Sequence, residues 1–311
     1  MAKRNVVELK GKHTIKQACD FYMHTPKFAA LRPRTQKDYM MYLSKVCDTP
    51  VQKGKQLGNI KLMDVRFKHV TTAYDRWLLV HGVRSSNYMA TCLSIVFNTS
   101  IRHEAILSNP VTLLQRTTDK PRKIKWTRDQ VLLFLDTAYS EWKWRSVGLI
   151  VHMAYEWAQR VGDMRLLRWD NLDLDAQRLD LEQSKRRADV HLPITDESLC
   201  RMLRQQKEDF DFQDYVAPRV FPRAGAHTPY DDQEIHVLVN QVKEAAGLPI
   251  EIQARDLRRT GITEMVESGV DMAGIMQVSG HTNPQSVKPY LVNTFSGASA
   301  ALAQRRSNDD K

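Results

Sequence analysis

Apolar residues recur at helical spacing along most of this 311-residue chain, and short strand-like runs are confined to one stretch near its middle. Residues 14–23 open on Thr14, a helix-cap candidate, and a second helix begins with Pro33 near its first turn and runs to residue 47. A third helix, 67–81, stops before Gly82, and a fourth, 85–105, carries Met89, Cys92, Leu93, Val96 and Phe97 at helical spacing. Between the second and third, residues 49–58 read as a turn-rich, lysine-bearing loop. These helices predict one compact domain over 13–115, preceded by a flexible basic arm over 1–12.

The polar, basic stretch 116–125, interrupted by Pro121, reads as an interdomain linker. Its charge, including Lys123 and Lys125, suits a strap lying against a duplex. A second domain over 126–295 opens at Trp126, with Thr127 as the cap of its first helix. Residues 147–158 are almost continuously apolar, which predicts a buried helix. Three short strands follow, at 171–174, 178–182 and 189–193. Further helices are expected near 196–208, 231–246, 256–268, 271–278 and 284–287. The fold class is therefore mostly α with a small antiparallel β-sheet, and residues 296–311 form a tail.

Composition narrows the function classes. With 42% hydrophobic and 26% charged residues the chain is ordinary for a globular protein, and no run approaches the ~18 apolar residues of a membrane span. The four cysteines stand far apart without a CxxC pair, so neither a zinc site nor a disulfide framework is indicated, and a reducing, cytoplasmic setting is expected. The net charge of +10 is unevenly placed. Residues 1–120 hold 20 basic and 8 acidic side chains, whereas the remainder is close to neutral. Such a bias points to a polyanion bound mainly by the amino-terminal part, although a solvated surface would look the same.

Four residues of the second half carry candidate chemistry: Arg160, Lys185, Arg258 and Tyr290. Arg160 follows the apolar helix, where a guanidinium should have an anionic partner, and Asp163 could orient it or simply pair with it. Arg258 lies near a helix start, a place that already favours anions, and Arg259 should point to another face. Lys185 occupies the turn between two strands, from which it could donate a proton to a departing oxygen. Arg186 and Arg187 beside it suit contacts to backbone phosphates. Tyr290 could attack phosphorus, but forming a phenolate at pH 7 costs roughly 4 kcal/mol, which neighbouring cations or a base such as His281 must offset. Taken singly, each of these residues is explained as well by a structural role.

Taken together, their order and spacing resemble the tyrosine recombinases, the phage integrase family. In that family the first arginine follows a buried helix and precedes an acid by three residues, as Arg160 precedes Asp163. The lysine stands on a hairpin eight residues before a proline, as Lys185 does before Pro193. The second arginine lies in Asp-Leu-Arg-(His/Arg)-Thr, matched around Arg258, and Gly-His stands nine residues before the nucleophile, matched by His281 and Tyr290. One position departs. Where the family usually has histidine, three residues before the second arginine, this chain has Arg255, which can donate to a phosphate but is too basic to take a proton.

The resemblance implies a helical, SAM-like core-binding domain followed by a recombinase catalytic domain. It implies that Tyr290 forms a 3′-phosphotyrosyl link, that Arg160, Arg258 and His281 stabilise the reacting phosphate, and that Lys185 protonates the 5′ oxygen. No cofactor or metal is implied, because the bond energy is kept in the phosphotyrosine. The implied partners are double-stranded DNA with a core site, three further copies in a tetramer, and an accessory DNA-bending or directionality factor, all in a bacterial host cell at the nucleoid. The small apolar run 297–303 would dock onto a neighbouring copy. With about a dozen residues before the first helix, a separate arm-binding domain is not expected. A phage or mobile-element integrase is favoured over Xer-like dimer resolution. A type IB topoisomerase and an inactive DNA-binding relative are the competing readings.

Overall fold

The computed structural model describes residues 8–52, 54–120, 122–185, 187–290 and Ser299. The chain divides into two compact units, with the boundary between Arg122 and Lys123.

In the first unit, helix α1 (Ile15–Met23) begins with a reciprocal cap in which Thr14 accepts from the Gln17 backbone and Gln17 accepts from that of Thr14. After the single turn α2 (Pro26–Ala29), helix α3 (Pro33–Cys47) starts on a proline, whose missing N–H would have no helical partner there anyway. Helix α4 (Phe67–Arg102) is two helices joined at Gly82, whose φ of 73° and ψ of 170° are open to glycine and costly to other residues. Ile15, Leu43, Val46, Met89, Leu93, Val96 and Phe97, from α1, α3 and α4, meet in its core.

The segment expected to be a plain loop differs from that reading. It contains an antiparallel pair, β1 (Pro50–Gln52) with β2 (Lys55–Gln56), and buries Val51 and Leu57. The Trp77 indole N–H donates to Thr49 Oγ1 at 2.6 Å and anchors the pair to α4. Two inward side chains among lysines and glycines are too few to show as a period.

The second unit is built around α6 (Arg145–Glu156), with α5 (Arg128–Tyr139) before it. Val147, Leu149, Ile150, Val151, Met153 and Ala154 are all buried, so α6 is apolar nearly all round and must be enclosed. Each of the larger side chains contributes roughly 1.5–3 kcal/mol by leaving water. The chain then reverses at Ala158 (φ 47°) into the short α7 (Val161–Met164). Strands β3 (Leu172–Asp173), β4 (Arg178–Glu182) and β5 (Asp189–Pro193) form an antiparallel sheet in chain order. Leu179 opposes Leu192 and Leu181 opposes Val190, so the inward faces of β4 and β5 coincide.

Helices α8 (Glu197–Phe210), α9 (Asp232–Ala245) and α10 (Leu257–Glu267) pack with α5 around α6. Helix α11 (Met272–Ser279) packs against β5 and ends at Gly280. Residues 284–287, expected to be a helix, form only a 3-10 turn at Pro284–Ser286. No helix among the described residues is long and apolar enough to cross a membrane.

Candidate active site

Four elements of the second unit converge on one polar cluster. The reversal after α6 supplies Arg160, the β4 end supplies Gln183, α10 supplies Arg258, and the α11 end supplies Ser279 and His281. Arg258 is only 7% exposed. Its Nη2 donates to the Ser279 carbonyl at 2.6 Å, and its Nη1 lies 3.3 Å from the Ala158 carbonyl and 3.4 Å from Gln159 Oε1. Arg160 is more open, with a quarter of its side chain in solvent, and its Nη1 donates to Gln183 Oε1 at 2.9 Å. Both guanidiniums are thus held in place by fixed oxygens, and Arg160 keeps part of its side chain open to solvent, an arrangement suited to receiving a phosphate.

His281 lies against Arg258, with Nε2 3.4 Å from Nη2. Its other nitrogen, Nδ1, is 2.8 Å from Ser279 Oγ, and that hydroxyl spends its single proton on the Ile275 carbonyl at 2.5 Å. Ser279 Oγ must accept, so Nδ1 carries the hydrogen. In a neutral His281, Nε2 is therefore the acceptor that faces Arg258 Nη2, and donating there to a phosphate oxygen requires the protonated ring.

Tyr290 is half-buried, with its ring centroid 5.9 Å from that of His281. Arg259 covers it from a different face of α10 than Arg258 uses. Its guanidinium stands 4.9 Å over the phenol ring, and its Nη1 donates to the Pro289 carbonyl at 3.2 Å. The phenol ring thus has an imidazole and a guanidinium as neighbours.

The remaining expected site residues fall in two groups. Asp163 is buried and its Oδ2 forms an ion pair with Arg160 Nη1 at 3.5 Å, a long one. Its Oδ1 accepts from both the backbone N–H and the hydroxyl of Ser184, so it also fixes the start of the hairpin turn that carries Lys185. Lys185 is exposed at that turn, Arg187 is exposed beside it in a left-handed conformation (φ 51°), and Arg186 lies outside the described residues. Arg255 is exposed in the 3-10 turn before α10, outside the hydrogen-bonded cluster. Lys123 is exposed, while Lys125 Nζ is paired with Glu267 at 2.8 Å. The 297–303 run cannot be placed, because of residues 296–311 only Ser299 is described.

The sequence reading passed over Gln159, Gln183 and Ser279, and it set Arg259 on another face than Arg258 without giving it a role. The first two are uncharged and wholly buried, and only the two arginines they touch mark them out. Elsewhere in the unit, His152, Glu156 and Asp196 bring metal-ligating atoms within 4.8 Å of one another. Both ring nitrogens of His152 are already engaged, by Tyr139 Oη at 3.0 Å and Asp196 at 3.4 Å, and Asp196 caps α8. That group is a buried histidine held by its neighbours.

Two guanidiniums, an imidazole and a phenol, gathered by a helical unit with a small antiparallel sheet, make a site suited to an anionic phosphate ester. Residues 126–296, more than half of the chain, match the phage integrase family, and the chain belongs to that family of tyrosine recombinases. It is 27% identical over 169 residues to the integrase of Enterobacteria phage 434, and 26% identical over 167 residues to that of Escherichia phage lambda. Each match covers 54% of this chain and 45% of the relative, so the chain matches less than half the length of these curated relatives. Among solved structures, a lambda integrase dimer bound to a core site superposes with a TM-score of 0.74 at 18% identity, over 91% of this chain and 96% of that one. The Tn1549 transposon integrase in complex with circular-intermediate DNA gives 0.73 at 14% identity, over 93% and 99%. At such identities these structures establish the shared fold.

Proposed function

We propose that this protein is a site-specific DNA recombinase that cuts and rejoins strands through a 3′-phosphotyrosyl intermediate. The observation that carries the reading is the convergence of Arg160, Arg258, His281 and Tyr290 on one spot from four separate parts of the chain. The Tyr290 oxygen attacks the scissile phosphorus and forms the new P–O bond as the bond to the 5′ oxygen breaks. The phenolic proton leaves to water, or to His281 Nε2 once that nitrogen gives up its contact with Arg258. Lys185, exposed on its hairpin turn, gives a proton to the departing 5′ oxygen. Arg160 and Arg258 stabilise the charge that grows on the nonbridging oxygens. A 5′ hydroxyl from a partner strand reverses the step, so no external energy source is consumed.

The first unit, with its excess of basic residues, would grip the duplex through backbone phosphates, as a core-binding domain. Lys123, Arg186 and Arg187 would add phosphate contacts beside the site, and Arg255 an outer hydrogen bond. Double-stranded DNA with a specific core site is the proposed substrate, and a homotetramer on that DNA is the proposed working assembly. The solved relatives support both, being bound to core-site DNA and, for lambda integrase, forming a tetramer on a Holliday junction. Integration or excision of a phage or mobile element in a bacterial cell, with an accessory DNA-bending or directionality factor, is favoured by the phage and transposon relatives. Short direct repeats flanking the DNA element that encodes the chain would support integration, and their absence would favour dimer resolution.

A duplex nicked beside the scissile phosphate tests the chemistry, because the short 5′ fragment diffuses away and traps the covalent complex. Wild type should accumulate an adduct that Tyr290→Phe does not form. Equal adduct from both would remove Tyr290 from its role. Efficient relaxation of supercoiled plasmid at arbitrary sequence would favour a topoisomerase instead.

A further inference from the structure

We propose that Gln159 and Gln183 are positioning residues, a buried pair of amides that locks Arg160 and Arg258 into one phosphate clamp; this rests on the reading of that cluster as the reacting site. Gln183 Oε1 accepts from Arg160 Nη1 at 2.9 Å. On its other side Gln183 Nε2 donates to Gln159 Oε1 at 2.6 Å and to the Ser279 carbonyl at 2.9 Å. Gln159 Oε1 also takes Arg258 Nη1 at 3.4 Å, and the Ser279 carbonyl takes Arg258 Nη2 at 2.6 Å. A continuous chain of hydrogen bonds therefore runs from one guanidinium to the other. Gln159 Nε2 donates to the Trp157 and Val278 carbonyls at 2.8 and 2.7 Å, which ties the pair to the α6 reversal and to the end of α11.

The polarity of the chain is fixed. Turning the Gln183 amide over would set its NH₂ against an Arg160 donor and its oxygen against the Ser279 carbonyl, two repulsive contacts in a dry place. Gln159 uses both its amide hydrogens and both lone pairs, so it has no alternative orientation either. Neither side chain has any solvent-exposed surface, and an amide buried to that degree must be matched donor for acceptor.

Backbone geometry supplies an independent sign that the place is reserved. Gly280 stands at φ +65°, and a Cβ there would come within 2.5 Å of Gln183 Nε2. The end of α11 approaches so closely that only glycine leaves room for the amide.

The choice of amides over carboxylates also has a physical reason. A glutamate at either position would hold a guanidinium as firmly, but its charge would cancel the field the phosphate needs. An amide accepts from one arginine and passes a donor onward while staying neutral. It aligns without discharging.

The test uses the same nicked duplex, read as the single-turnover rate of adduct formation at saturating protein, with DNA affinity measured separately. Gln183→Met keeps the volume and removes the relay, and it should slow cleavage by about 100-fold, the usual result of misplacing reacting groups by about 1 Å. DNA affinity should stay within about 3-fold, because the backbone grip lies elsewhere. A double-mutant cycle supplies the readout that a purely structural role would not move. If the relay acts through the arginine, Gln183→Met combined with Arg160→Ala should be no slower than Arg160→Ala alone. Multiplying deficits, or a Gln183→Met rate equal to wild type, would overturn the relay while leaving Tyr290 chemistry intact. Should Gln183→Met fail to fold, Gln159→Met carries the same cycle against Arg258→Ala, with the same two outcomes. A wild type that forms no adduct overturns the catalytic reading, and the relay's part in it falls too.

Discussion

The two units handle charge in opposite ways. Among the described residues, the first unit buries no ionisable side chain other than its cysteines and tyrosines, and its buried polar groups are Thr49, Ser86, Thr99, Ser100 and Asn109. Its basic excess lies outside. The second unit is nearly neutral overall, yet it buries Arg145, His152, Asp163, Lys243, Asp256, Arg258 and His281. Surface charge in solvent is diffuse and screened by salt within about 10 Å, which suits sliding and gripping along a polyanion. Buried charge is costly and must be held by partners, but once held it acts on one point at low dielectric. Net charge alone points to the first unit, whereas the proposed reacting site lies in the second.

The largest expected effects come from breaking the buried cluster. Tyr290→Phe should reduce single-turnover adduct formation by at least about 10⁴-fold with core-site binding unchanged, in line with loss of a nucleophile. Any residual adduct mapping to another side chain would reassign the attack. Arg258→Ala should cost about 10³-fold in the same assay. It also leaves the Ser279 carbonyl with one donor fewer, so urea unfolding should show a loss of about 1–3 kcal/mol. Arg258→Lys should recover little, because one ammonium cannot span the Ser279, Ala158 and Gln159 oxygens that the fork reaches together. Recovery to near wild type would mean that only the charge matters there.

Most elements were legible in the sequence because their signals are local. Thr14 and Thr127 cap the helices they were expected to start, and the continuous apolar run of α6 announced its burial. The β4–β5 register follows from alternation that puts Leu179, Leu181, Val190 and Leu192 on one face. The site was legible differently. Arg160, Arg258, His281 and Tyr290 stood out as charged or reactive groups at telling spacings, and the fold brings them together. Gln159 and Gln183 did not, because an uncharged amide carries no mark of its own and their contact spans 24 positions. Asp163 was expected at Arg160 and is paired with it, but its second contact, to Ser184, was not foreseen, since chain proximity does not say which further neighbour a carboxylate will choose. The β1–β2 hairpin was hidden because its burial rests on so few side chains.

The contrast between surface and buried charge sharpens further with salt. If the first unit contributes a screened phosphate grip of around four neutralised charges, raising salt from 50 to 200 mM should weaken DNA affinity about 100-fold. The single-turnover cleavage rate of the saturated complex should move by less than about 2-fold, because a buried cluster is little screened. A rate that falls in step with affinity, at full occupancy, would show that the reacting charges are as exposed as the gripping ones.

The smallest expected effect is a pH dependence of stability that belongs to the second unit. Burial pushes the His152 imidazole down from its usual value to about 4, with Asp196 opposing that shift. The folded state therefore prefers the neutral ring. Above about pH 6.5 both states are neutral and nothing is lost, whereas from pH 6.5 down toward 4 the unfolded chain takes up a proton that the folded chain resists. Going from pH 7 to 5 should cost about 2 kcal/mol at this residue. Glu156 works the other way: its carboxyl is pushed up to about 7, by burial first and by Asp196 next, so acidification between about 7 and 4.5 favours the fold. Glu156 is an exposed residue overall, so solvent screening should make its share the smaller one. Urea unfolding of Glu156→Gln at pH 7 and 5 isolates the histidine, and adding His152→Asn should remove most of the remaining acid loss. If the double variant loses as much stability as Glu156→Gln alone, His152 is not buried neutral, and part of the contrast between the units dissolves.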